Sequence, residues 1–243
     1  MKGVILYMNI TEMINETKQL GGEVWVFSDW HLLKKEKDRP RIIRRDNVFN
    51  VVNEYLKNIN PEKDMIIFLG DFVDDTIPRP LMLRTMINVF EPVESCTRKV
   101  WIRGNNDMMA EKLLINRGWS VCYSAVAKYQ DKWMVFSHTS LEMCSSDVVY
   151  NVHGHMHRND NSQMYYYHDP MRCVNIAPGC NVGHGLTLGE IIMRINDEPW
   201  NQATWYQDEE KPGMSRFIYE MATAEFTEDY YNFIYTGWDG DDE

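Results

Sequence analysis

The sequence predicts an α/β fold in which sheets lie inside and helices outside, arranged as an α-β-β-α sandwich. Short apolar runs rich in valine, isoleucine, phenylalanine and tryptophan recur along the chain, and their length and composition favour buried strands. Segments with helical spacing separate the first three runs, whereas residues 119–176 contain strand-like runs in succession. Strand–helix alternation followed by a strand-rich half is typical of a layered α/β protein.

The clearest strand predictions are residues 23–28, 64–70, 99–104, 132–138 and 147–154. Helices are predicted over residues 44–59, 81–90, 107–115 and 187–195. The last of these helices has a marked beginning, because Thr187 and Glu190 have the spacing of a capping box.

Length and composition indicate one globular body. A chain of 243 residues with 44% hydrophobic residues can bury one substantial core. No apolar run approaches the roughly 20 residues of a membrane span, and we find no signal-peptide cleavage pattern. The five cysteines lack metal-site or disulfide spacing, which indicates reduced thiols. We therefore expect a cytoplasmic protein without membrane contact.

The net charge of −11 comes from the C-terminal part of the chain. Residues 196–243 carry thirteen acidic side chains against Lys211 and Arg216, and they also contain eleven of the thirty aromatic residues. Disordered acidic tails are usually poor in aromatic residues. We therefore predict a body over residues 1–195 and an ordered extension over 196–243, which packs on the body, a second copy or another protein.

Each of the five predicted strands ends in side chains that bind metals or carry protons. In α/β folds the carboxyl ends of the strands line one crevice, so these side chains are expected to converge. Carboxylates, imidazoles and amides together suit manganese, iron, zinc or nickel. The residues are Asp29, His31, Asp71, Asp74, Asn105, Asn106, Asp107, His138, His153, His155 and His157.

The order of these motifs resembles that of the calcineurin-like metallophosphoesterases, and in particular of compact bacterial-type members. The resemblance covers roughly residues 22–195. The matching motifs are Asp29-Trp30-His31, Gly70-Asp71-Phe72-Val73-Asp74, Gly104-Asn105-Asn106-Asp107, Ser137-His138 and Gly154-His155-Met156-His157.

The resemblance implies two divalent metal ions, with manganese as the first choice. One ion would bind Asp29, His31 and His157. The other would bind Asn105, His138 and His155, and Asp71 would bridge the two ions. Such a pair of ions lowers the pKa of a bound water, which then attacks phosphorus, and neutralises charge on the phosphoryl oxygens. Asp74 is expected to hydrogen-bond its own loop.

One position departs from the family. The third motif usually contains a histidine that donates a hydrogen bond to the phosphate or protonates the leaving oxygen. Here Asn106 takes its place. An amide can donate a hydrogen bond to phosphate but cannot supply a proton near neutral pH. Asp107, which orients that histidine in the family, then lacks its usual partner. His153 could replace the missing acid or could only hold backbone near the ligands, and His184 is a further candidate.

A basic stretch at residues 34–45 follows the first motif and carries seven lysines and arginines. It is either a solvated face or the rim that holds an anionic substrate. We single out Arg39 as a substrate-binding candidate, because the following proline would stiffen the loop.

The preferred interpretation is a two-metal phosphodiesterase acting on a small, nucleotide-like diester. Long nucleic acid is not expected as a substrate, because the acidic extension would repel it. The alternatives are a phosphomonoesterase and a non-catalytic scaffold that binds a protein partner.

Overall fold

The computed structural model describes residues 9–33, 48–73, 77–107, 110–141, 149–155, 165–168, 171–177 and 185–197. The helices are α1 (Ile10–Gln19), α2 (Val48–Asn58), α3 (Arg79–Phe90), α4 (Glu111–Asn116) and α5 (Leu188–Asp197), and a short 3₁₀ helix (Glu91–Val93) follows α3. The strands are β1 (Val24–Phe27), β2 (Met65–Phe68), β3 (Lys99–Ile102), β4 (Ser120–Cys122), β5 (Ser124–Tyr129), β6 (Lys132–Ser137), β7 (Val149–His153), β8 (Tyr165–His168), β9 (Met171–Asn175) and β10 (Leu186–Thr187).

The first sheet has the strand order β10-β1-β2-β3-β4. Strands β1 to β4 are parallel, and β10 joins β1 in antiparallel orientation. All residues of β2 and β3 are buried, which explains why these strands read as continuous apolar runs. Because the four strands are parallel, their carboxyl ends lie along one edge of the sheet.

The second sheet has the order β5-β6-β7-β9-β8. Strands β5 and β6 form an antiparallel hairpin, whereas β6, β7 and β9 are parallel to one another. A single residue, Tyr123, connects β4 of the first sheet to β5 of the second. The carboxyl ends of β6 and β7 deliver His138 and His155 toward the same region as the first sheet.

Two apolar cores hold these layers together. The first core lies between the sheets and includes buried residues of α1 and α5, such as Ile14 and Ile191. The second core is aromatic and lies between the first sheet and helices α2, α3 and α4. At its centre the Trp101 ring lies 4.3 Å from Phe68 and 5.2 Å from Trp119, measured between ring centroids.

The predicted α/β class is confirmed, with two sheets and packed helices. All five strand predictions and the four helix predictions correspond to described elements, although α4 begins at Glu111 and not at 107. Ahead of α4, Ala110 N–H donates to the Asp107 carbonyl at 2.9 Å. Helix α1 was not predicted from the sequence, although Asn9 caps it by accepting from Thr11 N–H.

Three cysteines among the described residues, Cys96, Cys122 and Cys173, are free thiols. In the described part of the chain no helix combines the length and the apolar character needed to cross a membrane. Residues 198–243 lie outside the described residues, so the order of the extension stays a prediction.

The capping box of α5 gives a stability test. Thr187 N–H and Oγ donate to Glu190 Oε2 at 2.7 and 2.9 Å, and Glu190 N–H donates to Thr187 Oγ at 3.2 Å. Thr187→Ala removes two of these bonds, so we expect the free energy of unfolding to fall by about 1 kcal/mol. Thr187→Ser keeps the hydroxyl and serves as the control in urea denaturation. Equal stability of the alanine and serine variants would contradict the capping role.

Candidate metal centre

The loops that follow β1 and β2 run side by side and carry the first group of polar side chains. Asp29 N–H donates to the Gly70 carbonyl at 2.9 Å, and His31 N–H donates to the Asp71 carbonyl at 3.1 Å. Asp29, His31 and Asp71 have φ angles of 55°, 41° and 58°. Left-handed backbone is uncommon for residues other than glycine, and such strain concentrates at functional sites.

Asp29, His31 and Asp71 form the first donor group. One ligand atom from each residue lies within 4.8 Å of the others, and all three side chains are buried. His31 Nε2 lies 3.8 Å from Asp29 Oδ1 and 3.7 Å from Asp71 Oδ2. Two carboxylates and an imidazole nitrogen that face one another at this spacing can surround a divalent cation.

Asp71, His138 and His155 form the second donor group, again within 4.8 Å of one another. His138 Nε2 lies 3.5 Å from Asp71 Oδ2, 3.1 Å from His155 Nδ1 and 3.0 Å from Asn105 Oδ1. His138 Nδ1 lies 2.7 Å from the Leu69 carbonyl, which can only accept a hydrogen bond. Nδ1 therefore carries a proton and Nε2 faces the group, which is the orientation of a metal-binding histidine.

Asp71 belongs to both donor groups, and its charge shapes the electrostatics of the site. Burial raises the pKa of Asp71, but hydrogen bonding and charge from His138 outweigh it and bring the pKa to about 2. Burial lowers the pKa of His138, and the hydrogen bond to Asp71 with the charges of Asp29 and Asp71 brings it up to about 9. The centre therefore favours positive charge, so the residues fit bound cations.

Two glycines of the motifs lie where the backbone approaches neighbouring residues too closely for a side chain. A Cβ atom on Gly104 would collide with Asp71 Oδ1 and with the backbone nitrogen of Asp71. A Cβ atom on Gly154 would collide with Ser28 Oγ and Asp29 Oδ2. The backbone after β3 and β7 therefore packs directly on the carboxylates of the two donor groups, as only glycine permits.

Asp107 and Asn106 both contact Asp71. The buried carboxylate of Asp107 accepts hydrogen bonds from the N–H groups of Asp71 and Gly104, both at 2.9 Å, and from Trp101 Nε1 at 3.1 Å. Burial raises the pKa of Asp107. Asn106 donates from its backbone to Asp71 Oδ1 at 3.0 Å and from its amide to Asp71 Oδ2 at 2.6 Å. The third motif is thus fastened to the carboxylate that the two donor groups share.

His153 is fully buried in β7. Its Nδ1 lies 2.8 Å from the Gly154 carbonyl, and burial lowers its pKa to about 4. The contact joins His153 to backbone directly before His155. Its catalytic role stays a prediction.

The structure brings together six of the seven predicted metal ligands. These are Asp29, His31, Asp71, Asn105, His138 and His155. The remaining predicted residues His157, Asp74, Arg39 and His184 lie outside the described residues.

Sequence reasoning missed the residues that orient the ligands. Ser28 Oγ donates to Asp29 Oδ2. Asn151 is fully buried and its amide donates to Ser137 Oγ at 2.8 Å, next to His138. A polar side chain within an apolar strand, as at Asn151, was the available signal, since buried amides require partners.

A family model described as calcineurin-like phosphoesterase matches residues 22–231. The chain belongs to this family. Membership makes the protein a metal-dependent phosphoesterase, in agreement with the two donor groups. The match extends beyond residue 195, where we placed the boundary of the body, and that boundary stays a prediction.

Three solved structures match the chain at low sequence identity, and the first of them shows a similar fold. A protein of unknown function from Aquifex aeolicus has 17% identity and a TM-score of 0.51, covering 71% of this chain and 98% of its own. A novel archaeal phosphodiesterase has 16% identity and a TM-score of 0.33, covering 65% of this chain and 85% of its own. The nuclease MPE of Pseudomonas putida has 17% identity and a TM-score of 0.35, and the match covers 55% of this chain and 60% of the nuclease chain. The comparison with curated proteins found no match.

The close approach at Gly104 can be tested by adding one methyl group. In Gly104→Ala the new Cβ meets Asp71, so we expect the free energy of unfolding to fall by about 1–3 kcal/mol. Metal retained after dialysis should fall as well. The matched control is Gly189→Ala, where the new Cβ lies 3.9 Å from Thr187 Oγ and meets no closer atom. Normal metal content in Gly104→Ala would contradict the packing of this loop on the ligands.

Proposed function

We propose that the protein is a two-metal phosphodiesterase that acts on a small, nucleotide-like diester. The observation that carries this proposal is the carboxylate of Asp71, which belongs to both donor groups. A carboxylate can serve two cations because its two oxygens together carry about four lone-pair sites. Family membership supports the coarser activity, metal-dependent cleavage of a phosphoester.

In this proposal Asp29, His31 and His157 hold one ion, and Asn105, His138 and His155 hold the other. Asp71 contributes to both. When bound, such ions supply an activated water and neutralise charge on the phosphoryl group. Manganese is the first choice for this mixture of nitrogen and oxygen ligands, and iron, zinc or nickel also suits it.

The residues around the donor groups would orient them. Asn106 can donate hydrogen bonds and holds both oxygens of Asp71, but its amide cannot protonate a leaving oxygen. We therefore infer that the enzyme favours substrates with stable leaving groups. A diester whose leaving oxygen belongs to an acidic alcohol, such as a nitrophenyl ester, meets this requirement without a proton from the protein.

The central experiment is a screen of phosphomonoesters and phosphodiesters with added Mn²⁺. The proposal predicts hydrolysis of nitrophenyl diesters that depends on the metal and is lost with a chelator. Preferential hydrolysis of monoesters would instead identify a phosphomonoesterase. Metal binding without hydrolysis of either class would favour the scaffold interpretation.

The bridging role of Asp71 predicts that Asp71→Ala removes both ions and abolishes hydrolysis. Loss of a ligand shared by two sites weakens both, because each ion loses an anionic partner in a buried setting. The measurement is metal content per chain by mass spectrometry, together with the rate on a nitrophenyl diester. Asp131→Ala is the matched control, since the Asp131 side chain is 80% exposed in the β5–β6 turn. One retained equivalent of metal with a near-normal rate would show that Asp71 is not the bridge.

The amide at position 106 predicts a steep dependence of rate on leaving-group pKa. Asn106→His introduces a side chain with an ordinary pKa near 6.5 beside Asp107, so it can donate a proton. We expect kcat/KM for an alkyl ester to rise about ten- to a hundredfold, with little change for a nitrophenyl ester. Both proteins are compared at matched metal content. Equal changes on the two esters would mean that Asn106 only positions the phosphate or the bridge.

A further inference from the structure

An exposed aromatic ring lies at the edge of the sheet that carries the metal centre. Arg103 directly follows β3, and Tyr123 directly follows β4. Arg103 N–H donates to the Cys122 carbonyl at 2.8 Å, which extends the pairing of these two strands by one residue. Asn105, a predicted metal ligand, follows two residues after Arg103. Since consecutive Cα atoms are about 3.8 Å apart, the Cα atoms of Arg103 and Asn105 are at most about 7.6 Å apart.

The side chain of Arg103 fixes the ring of Tyr123. The guanidinium carbon lies over the ring at 4.7 Å from its centroid, and Nη1 donates to the Tyr123 hydroxyl. The same Nη1 lies 3.3 Å from Glu111 Oε2 at the start of α4. The Arg103 side chain is largely buried, at 16% exposure, so the pair is anchored and not a loose surface contact.

The ring itself remains open to solvent. Tyr123 is 52% exposed, and among the residues whose side-chain burial is described it is the one aromatic residue of the exposed large apolar side chains. Because Tyr123 is the one residue between β4 and β5, both of its neighbours are held in strands. A ring that is already ordered gives up little entropy when a flat partner stacks on it.

We propose that Tyr123 and Arg103 form a subsite that binds the base of a nucleoside carried by the diester. This inference rests on the proposed function and names the substrate class for the same site. Stacking suits any base, because every base has a flat π-face, and it requires no base-specific hydrogen bonds. The guanidinium behind the ring belongs to Arg103, two residues before the predicted ligand Asn105, and leaves the ring open to solvent. Arg103 and Tyr123 thereby distinguish nucleoside diesters from simple alkyl diesters.

The test compares two substrates that share one leaving group. Thymidine 5′-(4-nitrophenyl phosphate) carries a base on the retained side, and methyl 4-nitrophenyl phosphate carries a methyl group there. For Tyr123→Ala we expect the ratio of kcat/KM for the nucleoside ester over the methyl ester to fall about tenfold, within the range for base–aromatic stacking. Tyr123→Phe keeps the ring and should hold the ratio within about twofold of the original. An unchanged ratio in Tyr123→Ala would overturn the subsite.

Tyr129→Ala is the matched control, because Tyr129 ends the same strand that Tyr123 precedes. At about 3.3 Å per residue the two tyrosines are roughly 20 Å apart, so loss of Tyr129 should leave the ratio unchanged. An equal fall in both alanine variants would mean that the ratio reports stability and not stacking, and would overturn the proposal.

A binding measurement separates this inference from the proposed function. Thymidine 5′-monophosphate, which contains no diester bond, is titrated into the Mn²⁺-loaded protein by calorimetry. The subsite predicts binding about tenfold weaker in Tyr123→Ala than in Tyr123→Phe. If no diester is hydrolysed but this difference is found, the proposed function fails and the subsite stands. If diesters are hydrolysed and the two variants bind the nucleotide equally, the subsite fails and the proposed function stands.

Discussion

The mutual attachment of Asp71 and the third motif is the constraint on which the rest of the site depends. The backbone N–H of Asp71 donates to the carboxylate of Asp107 at 2.9 Å, and the carboxylate of Asp71 accepts from both N–H donors of Asn106. These bonds cross between the loops after β2 and β3. Gly104 allows the loops to approach closely enough for the bonds to form. Without them, the left-handed backbone of Asp71, at φ 58°, would lack the surrounding support that such strain requires.

The aromatic core packs against the residues that make this attachment. Trp101 Nε1 donates to Asp107 while its ring packs against Phe68. The motifs themselves alternate between the site and the core. Trp30 stands between two metal-binding candidates, yet its ring lies 4.8 Å from Phe68, and Phe72 follows Asp71 and packs in the same cluster. Burial of the apolar residues in these motifs therefore orients the polar residues beside them. A change in core packing would also shift the side chains of the site.

The absence of histidine at position 106 changes how the site would divide its tasks. In the protein as it stands, the amide of Asn106 is engaged with the shared carboxylate, and His153 is buried with its Nδ1 beside the Gly154 carbonyl. The first contact holds the carboxylate shared by the two donor groups, and the second holds backbone next to His155. If Asn106 supplies no proton, selectivity depends on the substrate's own leaving group and, in the proposed subsite, on contacts with Arg103 and Tyr123. In this arrangement Arg103 and Tyr123 would select the substrate, and the donor groups would stabilise charge on the phosphoryl group.

The sequence by itself determined five of the strands, the order of the motifs and the start of α5, because these depend on local patterns. Apolar β-branched runs mark buried strands, and the capping box at Thr187 is formed by residues three apart. The structure brings six of the seven predicted ligands together, because parallel strands bring their carboxyl ends to one edge. Only the tertiary structure decided the order of the second sheet, the partners of Asp107 and the pairing of Arg103 with Tyr123. Asp107 accepts from the backbone N–H groups of Asp71, Phe72 and Gly104. Every residue except proline carries such a group, so no residue type in the sequence could mark these partners.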